Sequence, residues 1–142
     1  MNPHFSEIAR QMLFHDSIGE ITAAACAASA ANVLERLQVR LAPLVGNAGM
    51  SALFARAFRL TSREFAALVR LQGTALNGEA SVAQQLTDAL NGLDAAAALA
   101  AATALYTNFL ELTSSLIGER LVLLVLQRAF PNIDVTAKQE SE

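Results

Sequence analysis

The pair His15-Asp16 has the residue types in this sequence that are best suited to chemistry. An imidazole titrates near neutral pH and can act as a nucleophile, and a carboxylate beside it can assist proton transfer. The pair begins a short string that continues to Gly19, between two stretches with helical patterns. We therefore treat His15-Asp16 as a candidate site for nucleophilic or acid–base chemistry.

The string from His15 to Gly19 resembles the phosphoacceptor box of the sensor histidine kinases that pair with response regulators of the LuxR-like class. In that family the histidine lies on a dimerising helix and accepts the phosphoryl group, and the carboxylate next to it assists proton transfer. The resemblance therefore implies that His15 is the phosphoacceptor and Asp16 its helper. The resemblance implies phosphotransfer or dimerisation, with a response regulator as partner. It implies nothing more, because no glycine-rich ATP-binding domain follows in the chain. The alternative is that His15-Asp16 is an ordinary exposed helix end or turn.

A metal centre is not expected. His4 and His15 fall on one helical face, but on a continuous helix they would be about 16 Å apart, too far to share one ion. The single cysteine, Cys26, lies in an alanine run and is predicted to be a small buried residue. The sequence has no phosphate-binding glycine loop and no serine beside a histidine. We therefore expect a protein that is not an enzyme and needs no cofactor.

Four arginines, Arg56, Arg59, Arg63 and Arg70, concentrate positive charge and form either a solvated face or a patch for an acidic partner. The string from Leu60 to Leu68 resembles the start of the winged-helix DNA-binding domain of response regulators. The helix that would enter the major groove, at 79–90, contains no Lys or Arg and carries two acidic residues. It would repel phosphates, so nucleic-acid binding is not expected.

The elements that must position these residues are predicted to be helices. The chain has 142 residues, 54% of them hydrophobic, with 7 Gly and 3 Pro, so helix breakers are few. Pro43 is expected to end or restart a long helix, Thr61-x-x-Glu64 has the form of a capping box that starts another, and Asp94 is expected to cap an alanine-rich helix. The predicted fold is an all-α bundle of about five to six helices, at 19–41, 47–59, 61–71, 79–90, 95–116 and 121–126, preceded by a short amphipathic stretch at 5–14.

Two of these helices show clear faces. The first long helix carries a polar stripe opposite a packed, alanine-rich face, and the stripe consists of Ser29, Asn32, Arg36 and Arg40. The alanine-rich helix is predicted to be largely buried, with an apolar arc that ends at Leu116. Small residues allow neighbouring backbones to approach closely, so both helices should be central.

An internal duplication is the further prediction for the fold. Residues 44–58 align without gaps onto residues 116–130, with five of fifteen positions identical, and each block follows a long alanine-rich helix. Gly46 and Gly118 would be equivalent joints, and Phe58 and Phe130 equivalent core residues. Chance similarity from the alanine bias is the alternative. These blocks also resemble small all-helical bacterial proteins of unassigned function, which implies a fold and a bacterial source but no activity.

The predicted organisation is one helical domain over residues 1–131, followed by a flexible tail over 132–142. The longest charge-free run, residues 95–110, is short and contains polar residues, so no membrane span is expected. With no basic leader, the expected location is the cytoplasm.

The functional hypothesis is a non-enzymatic interaction or adaptor module that forms a homo-oligomer. One alternative is phosphotransfer through His15. Another is a carrier of a small apolar ligand, held in a cavity lined by Phe54, Phe58, Tyr106 and Phe109.

Overall fold

The computed structural model describes residues 3–14, 22–65 and 82–131. All regular secondary structure in these ranges is helical, which confirms the prediction of an all-α bundle. The described helices are α1 (Pro3–Phe14), α2 (Ala23–Ser62), α3 (Val82–Asn91), α4 (Ala95–Ile117) and α5 (Glu119–Ala129).

Helix α2 consists of two helical segments, 23–45 and 47–62, that meet at a kink at Gly46. Thr22 caps its first turn, because the Thr22 hydroxyl accepts a hydrogen bond from the Ala25 amide at 3.0 Å. The helix continues through Pro43 and is interrupted only at Gly46, which has φ 80° and ψ 164°. The prediction that Pro43 ends or restarts the helix is therefore wrong. Pro43 removes the usual donor to the Val39 carbonyl, but both residues are exposed, so water can replace that hydrogen bond.

The prediction that Thr61 begins a new helix with a capping box is also wrong. Thr61 lies in the last turn of α2, and its hydroxyl donates to the Ala57 carbonyl at 2.7 Å. The same oxygen accepts a hydrogen bond from the side-chain amide of Asn108 at 2.9 Å. Thr61 is thus a buried link between α2 and α4, and most of the helix predicted over 61–71 lies outside the described residues.

Helix α4 begins at the predicted residue and ends one residue later than predicted, whereas α5 extends beyond the predicted range 121–126 at both ends. The Asp94 carboxylate accepts a hydrogen bond from the Ala97 amide at 2.8 Å and caps α4. Gly118, with φ 96° and ψ 144°, separates α4 from α5, and α5 ends at Ala129, just before Pro131. Helix α4 is therefore bounded by the Asp94 cap at its start and by Gly118 at its end.

The core forms where α2 and α4 pack together. Helix α1 lies mainly on α4, α3 lies mainly on α2, and α5 contacts both long helices. Alanines supply much of this contact, and those fully buried include Ala27, Ala30, Ala98, Ala101 and Ala102. The small side chains allow the two long helices to pack closely.

The two halves of the chain match at an offset of 72 residues. Gly46 and Gly118 are exposed joints with similar positive φ, and Phe58 and Phe130 are each 1% exposed. The N-cap residues Thr22 and Asp94 are also 72 residues apart. So are Ala25 and Ala97, whose amides donate hydrogen bonds to them. Both glycines thus have positive φ and both phenylalanines are buried, as a duplication requires, and the duplication itself stays a prediction.

Leu116 departs from the prediction for α4. It was expected in the buried arc, but it is 60% exposed, and Leu44, its counterpart one offset earlier, is 48% exposed. Both leucines lie two residues before a glycine joint. The residues that follow them, Val45 and Ile117, pack against the core, so each leucine lies on a side of its helix that no described residue covers.

Candidate interaction surfaces

The candidate phosphoacceptor lies outside the described residues. This applies to His15, to Asp16 and to the side chain of His4. The hypothesis of phosphotransfer to or from a response regulator therefore stays a prediction. Within the described ranges, no group of three or more His, Cys, Asp or Glu residues is arranged to hold a metal ion.

Three of the four predicted patch arginines share one exposed face of α2. Arg56, Arg59 and Arg63 are spaced by three and four residues, and Arg63 keeps helical backbone angles at the C-cap. None of the three forms an ion pair with a described residue. We call Arg56, Arg59 and Arg63 the basic ridge; Arg70 lies outside the described residues. Arg59 and Arg63 also stand at the carboxyl end of α2, where a cation stabilises the helix dipole.

A second basic face lies on α5. Leu124 is 50% exposed, and Arg120 and Arg128, both exposed, stand one helical turn before and after it. This face was not among the surfaces predicted from the sequence. It could have been predicted because residues 120, 124 and 128 are four apart, which places all three side chains on one side of a helix.

The most exposed large apolar side chain in the described chain is Val39, at 71%. On the same surface of α2, Glu35 precedes it by one turn, Arg40 follows it directly, and Pro43 follows by one turn; all three are exposed. We call these four residues the Val39 face. Val39 lies seven residues after Asn32, within the predicted polar stripe, so helical periodicity alone could have identified it as an exposed apolar residue.

An open cleft of about 390 Å³ borders the Val39 face. One wall holds Arg36, whose guanidinium donates to the Ala129 carbonyl at 3.0 Å and lies 5.4 Å from the centre of the Phe130 ring. Arg36 therefore serves the packing of α5 against α2. Glu35 and Arg40, by contrast, form no ion pair with a described residue, which leaves their charges available to a partner. The cleft is lined by Asn32, Glu35, Arg36, Val39, Arg40 and Ala129.

A second open cleft, of about 410 Å³, lies between α1, α4 and the residues that follow α2. Its floor is formed mainly by small residues of α4, and Arg10 and Glu64 supply its charged groups. Both groups are exposed to solvent. The cleft brings together no set of polar groups converging on one point, so it supports no specific site.

The four aromatic residues proposed to line a ligand cavity pack against their surroundings instead. Phe54 stacks on Phe109, with ring centres 4.3 Å apart and planes 12° apart, and on Phe58 with ring centres 6.0 Å apart. The Tyr106 hydroxyl donates to the Ala30 carbonyl at 2.6 Å. All four side chains are at most 1% exposed, and none lines either of the two clefts. The geometry thus gives the ligand-carrier hypothesis no support.

Cys26 is buried, as the sequence predicts. Burial raises the pKa of its thiol, which favours the unreactive protonated form. Burial likewise raises the pKa of the Tyr106 hydroxyl, which stays a hydrogen-bond donor to Ala30. Both side chains therefore have structural roles in the core.

In the described part of the chain, α4 is long and apolar enough to cross a membrane by length and composition. Half of its most apolar window is buried against the rest of the protein, and the core helix of a soluble protein meets the same criterion. This is weak evidence for a span. The cytoplasmic location and the bacterial source stay predictions.

Comparison with known proteins found no matching family model, no matching curated protein and no matching solved structure. The case for function therefore rests on the surfaces described above.

Proposed function

We propose that this chain is a non-enzymatic helical interaction module that associates with itself and binds an acidic protein partner. The observation that carries the proposal is the exposure of large apolar side chains outside a well-packed core. The four are Val39, Leu44, Leu116 and Leu124, between 48% and 71% exposed. Single exposed apolar residues are common on monomers, but Val39 and Leu124 are each framed by charged residues that form no ion pair with a described residue.

The basic ridge supports the second half of the proposal. Three arginines on one helix face, without described carboxylate partners, create a local positive potential on a chain whose formal net charge is -3. A helix or loop with carboxylates at matching spacing would neutralise this potential. Arginine also binds carboxylates with two parallel hydrogen bonds, which adds directional preference.

Self-association is tested by sedimentation velocity across the micromolar range. We expect a reversible dimer whose fraction increases with protein concentration. A species of 15.0 kDa at every concentration would overturn this part of the proposal.

The partner preference is tested with a synthetic helical peptide that carries glutamates three and four residues apart, titrated by fluorescence anisotropy. The double variant Arg59→Glu/Arg63→Glu should weaken binding at least tenfold, and added salt should weaken wild-type binding because exposed charges are screened. The matched control is the double variant Arg120→Glu/Arg128→Glu on α5, which reverses two exposed arginines outside the ridge and changes the net charge equally. Equal loss in the control would show that only net charge matters.

A further inference from the structure

We propose that the element of the acidic partner that binds the basic ridge is a helix running antiparallel to α2, with its carboxylates in its first two turns and uncharged residues after them. The inference rests on the proposed binding of an acidic partner. It assigns that partner a secondary structure, an order of charges and a direction.

The first argument is the distribution of charge along the segment of α2 after Gly46. Residues 47–55 contain no charged side chain, whereas Arg56, Arg59 and Arg63 follow at its carboxyl end, and no acidic residue lies anywhere in 47–63. A helix that lies along this segment therefore meets positive charge over one half of its length only. Its carboxylates must be gathered at one end to match the ridge.

The second argument is the shape of the uncharged half. Ala48 and Ala52 are exposed and precede Arg56 by eight and four residues. At 3.6 residues per turn, these two alanines and the three arginines of the ridge fall within an arc of about 80°. They therefore form one stripe along α2. The alanines let a second helix approach closely, so that the arginine side chains next to them can reach carboxylates on that helix.

The third argument is the helix dipole, which sets the direction of the partner. Carboxylates stabilise a helix when they lie in its first turns and destabilise it when they lie in its last turns. A helix with all its carboxylates at one end is therefore most stable when that end is its amino terminus. Because the ridge lies at the carboxyl end of α2, the amino terminus of the partner helix lies there too, and the two helices run antiparallel.

The described helices of this chain do not supply such an element, so the partner is a different protein rather than a second copy. The first two turns of α2 and α4 contain no acidic residue, and those of α1, α3 and α5 contain one each. A match to three arginines needs at least two carboxylates in these turns. The ridge is thus suited to an acidic helix from outside the described part of this chain.

The test uses two peptides of identical composition, each held helical by a hydrocarbon staple on the side away from the protein. The acid-first peptide carries three glutamates in its first two turns, spaced by four and then three residues to match Arg63, Arg59 and Arg56. The second peptide has the same sequence in reverse order, and it matches the ridge only when it binds parallel. In fluorescence anisotropy with the full chain, the reversed peptide should bind about tenfold more weakly.

The direction of binding is measured on the same complex by nuclear magnetic resonance. A nitroxide on the amino terminus of the acid-first peptide should broaden the amide signals of Arg59 and Ser62 most strongly. A nitroxide on its carboxyl terminus should instead broaden those of Ala48 and Ala52. The opposite pattern would overturn the antiparallel arrangement.

A substitution tests the close approach of the partner helix. Ala52→Gln keeps a good helix former but raises the surface beside the ridge, so it should weaken binding of the acid-first peptide about threefold or more. The matched control is Ala28→Gln, at an exposed alanine on the segment of α2 before Gly46, which should leave binding unchanged. Far-ultraviolet circular dichroism checks that both variants keep their helices. Equal binding by the two variants would contradict a helix lying along this stripe.

The outcomes separate this inference from the proposed function. If Arg59→Glu/Arg63→Glu weakens binding but the two peptides bind equally well, the acidic partner stands and the antiparallel helix is overturned. If that double variant binds the acid-first peptide like the wild type, both are overturned. If the double variant abolishes self-association in sedimentation velocity, a second copy occupies the ridge and this inference is overturned.

Discussion

The side chain of Arg36 donates a hydrogen bond to the main-chain carbonyl of Ala129, which lies 93 residues later in the chain. The counterparts at the offset of 72 are Asn108 and Ala57, and they are linked too: Asn108 donates to the Thr61 hydroxyl, which donates to Ala57. The segment of α2 before Gly46 thus contacts α5, and α4, which precedes Gly118, contacts the segment of α2 after Gly46, at equivalent positions. The two glycine joints permit these contacts, because each changes the direction of the chain after a long helix.

Replacing Arg36 by Ala should lower the free energy of unfolding by about 1–3 kcal/mol, because it removes a charge-assisted hydrogen bond and the contact with the Phe130 ring. Arg36→Lys should recover part of the loss, since it keeps the charge at the carboxyl end of α5 but not the planar group. The measurement is urea denaturation. Arg40→Ala, one turn away, is the control and should change stability by less than about 0.5 kcal/mol. Equal effects of Arg36→Ala and Arg40→Ala would contradict the structural role of Arg36.

The link between Thr61 and Asn108 should show coupling in a double-mutant cycle. Thr61→Val leaves the Asn108 amide without this acceptor in a partly buried site and should cost about 1–3 kcal/mol. Thr61→Val/Asn108→Ala should cost less than the sum of the single changes by at least about 0.5 kcal/mol. Thr113→Val is the control, because the Thr113 hydroxyl is buried and donates only to the carbonyl of Phe109 in its own helix. Strict additivity would mean that the two side chains act independently.

The two glycine joints should be equally sensitive to a β-carbon. A methyl group at Gly46 or Gly118 would meet no atom within 4 Å, so any cost arises from backbone strain rather than crowding. Their φ values of 80° and 96°, with ψ near 150°, belong to a region that is almost restricted to glycine, so each change to Ala should cost about 1–3 kcal/mol. Thermal unfolding would measure both. Gly92→Ala, at a position with ordinary φ and contacts, should have little effect, and a large difference between the two joints would contradict their equivalence.

Tyr106, the one tyrosine of the chain, should make stability fall at alkaline pH. Burial raises the pKa of its hydroxyl in the folded state, whereas in the unfolded chain it ionises near pH 10. Above that pH the unfolded state binds fewer protons than the folded state, so stability should fall by about 1.4 kcal/mol per pH unit from this group.

Tyr106→Phe should reduce that alkaline slope and leave the contribution of the buried Cys26 thiol, whose pKa burial also raises. It should also cost about 1 kcal/mol at neutral pH through loss of the hydrogen bond to Ala30. Denaturation followed between pH 8 and pH 11 would measure both effects. An unchanged slope in the variant would show that other groups cause the alkaline transition.

Local features of the sequence determined most of the helices and both joints. The Asp94 cap, the end of α5 before Pro131 and the positions of Gly46 and Gly118 depend on interactions within a few residues, so they can be read from short patterns. Helical spacing likewise places Arg56 and Arg59 on one face, but Arg63 joins them only because α2 continues past Arg59 to Ser62, where the sequence predicted a new helix.

Only the tertiary structure decided which of these faces are covered. Pro43 is tolerated because the Val39 carbonyl, which loses its helical donor, is exposed to water. Thr61 links two helices because the Asn108 side chain of α4 donates to its hydroxyl. Leu116 is exposed because none of the described helices covers it, and Val39 is exposed beside a cleft that Ala129 completes. Each outcome depends on residues distant in the chain, and a periodic pattern specifies the direction of a side chain but not what lies opposite it.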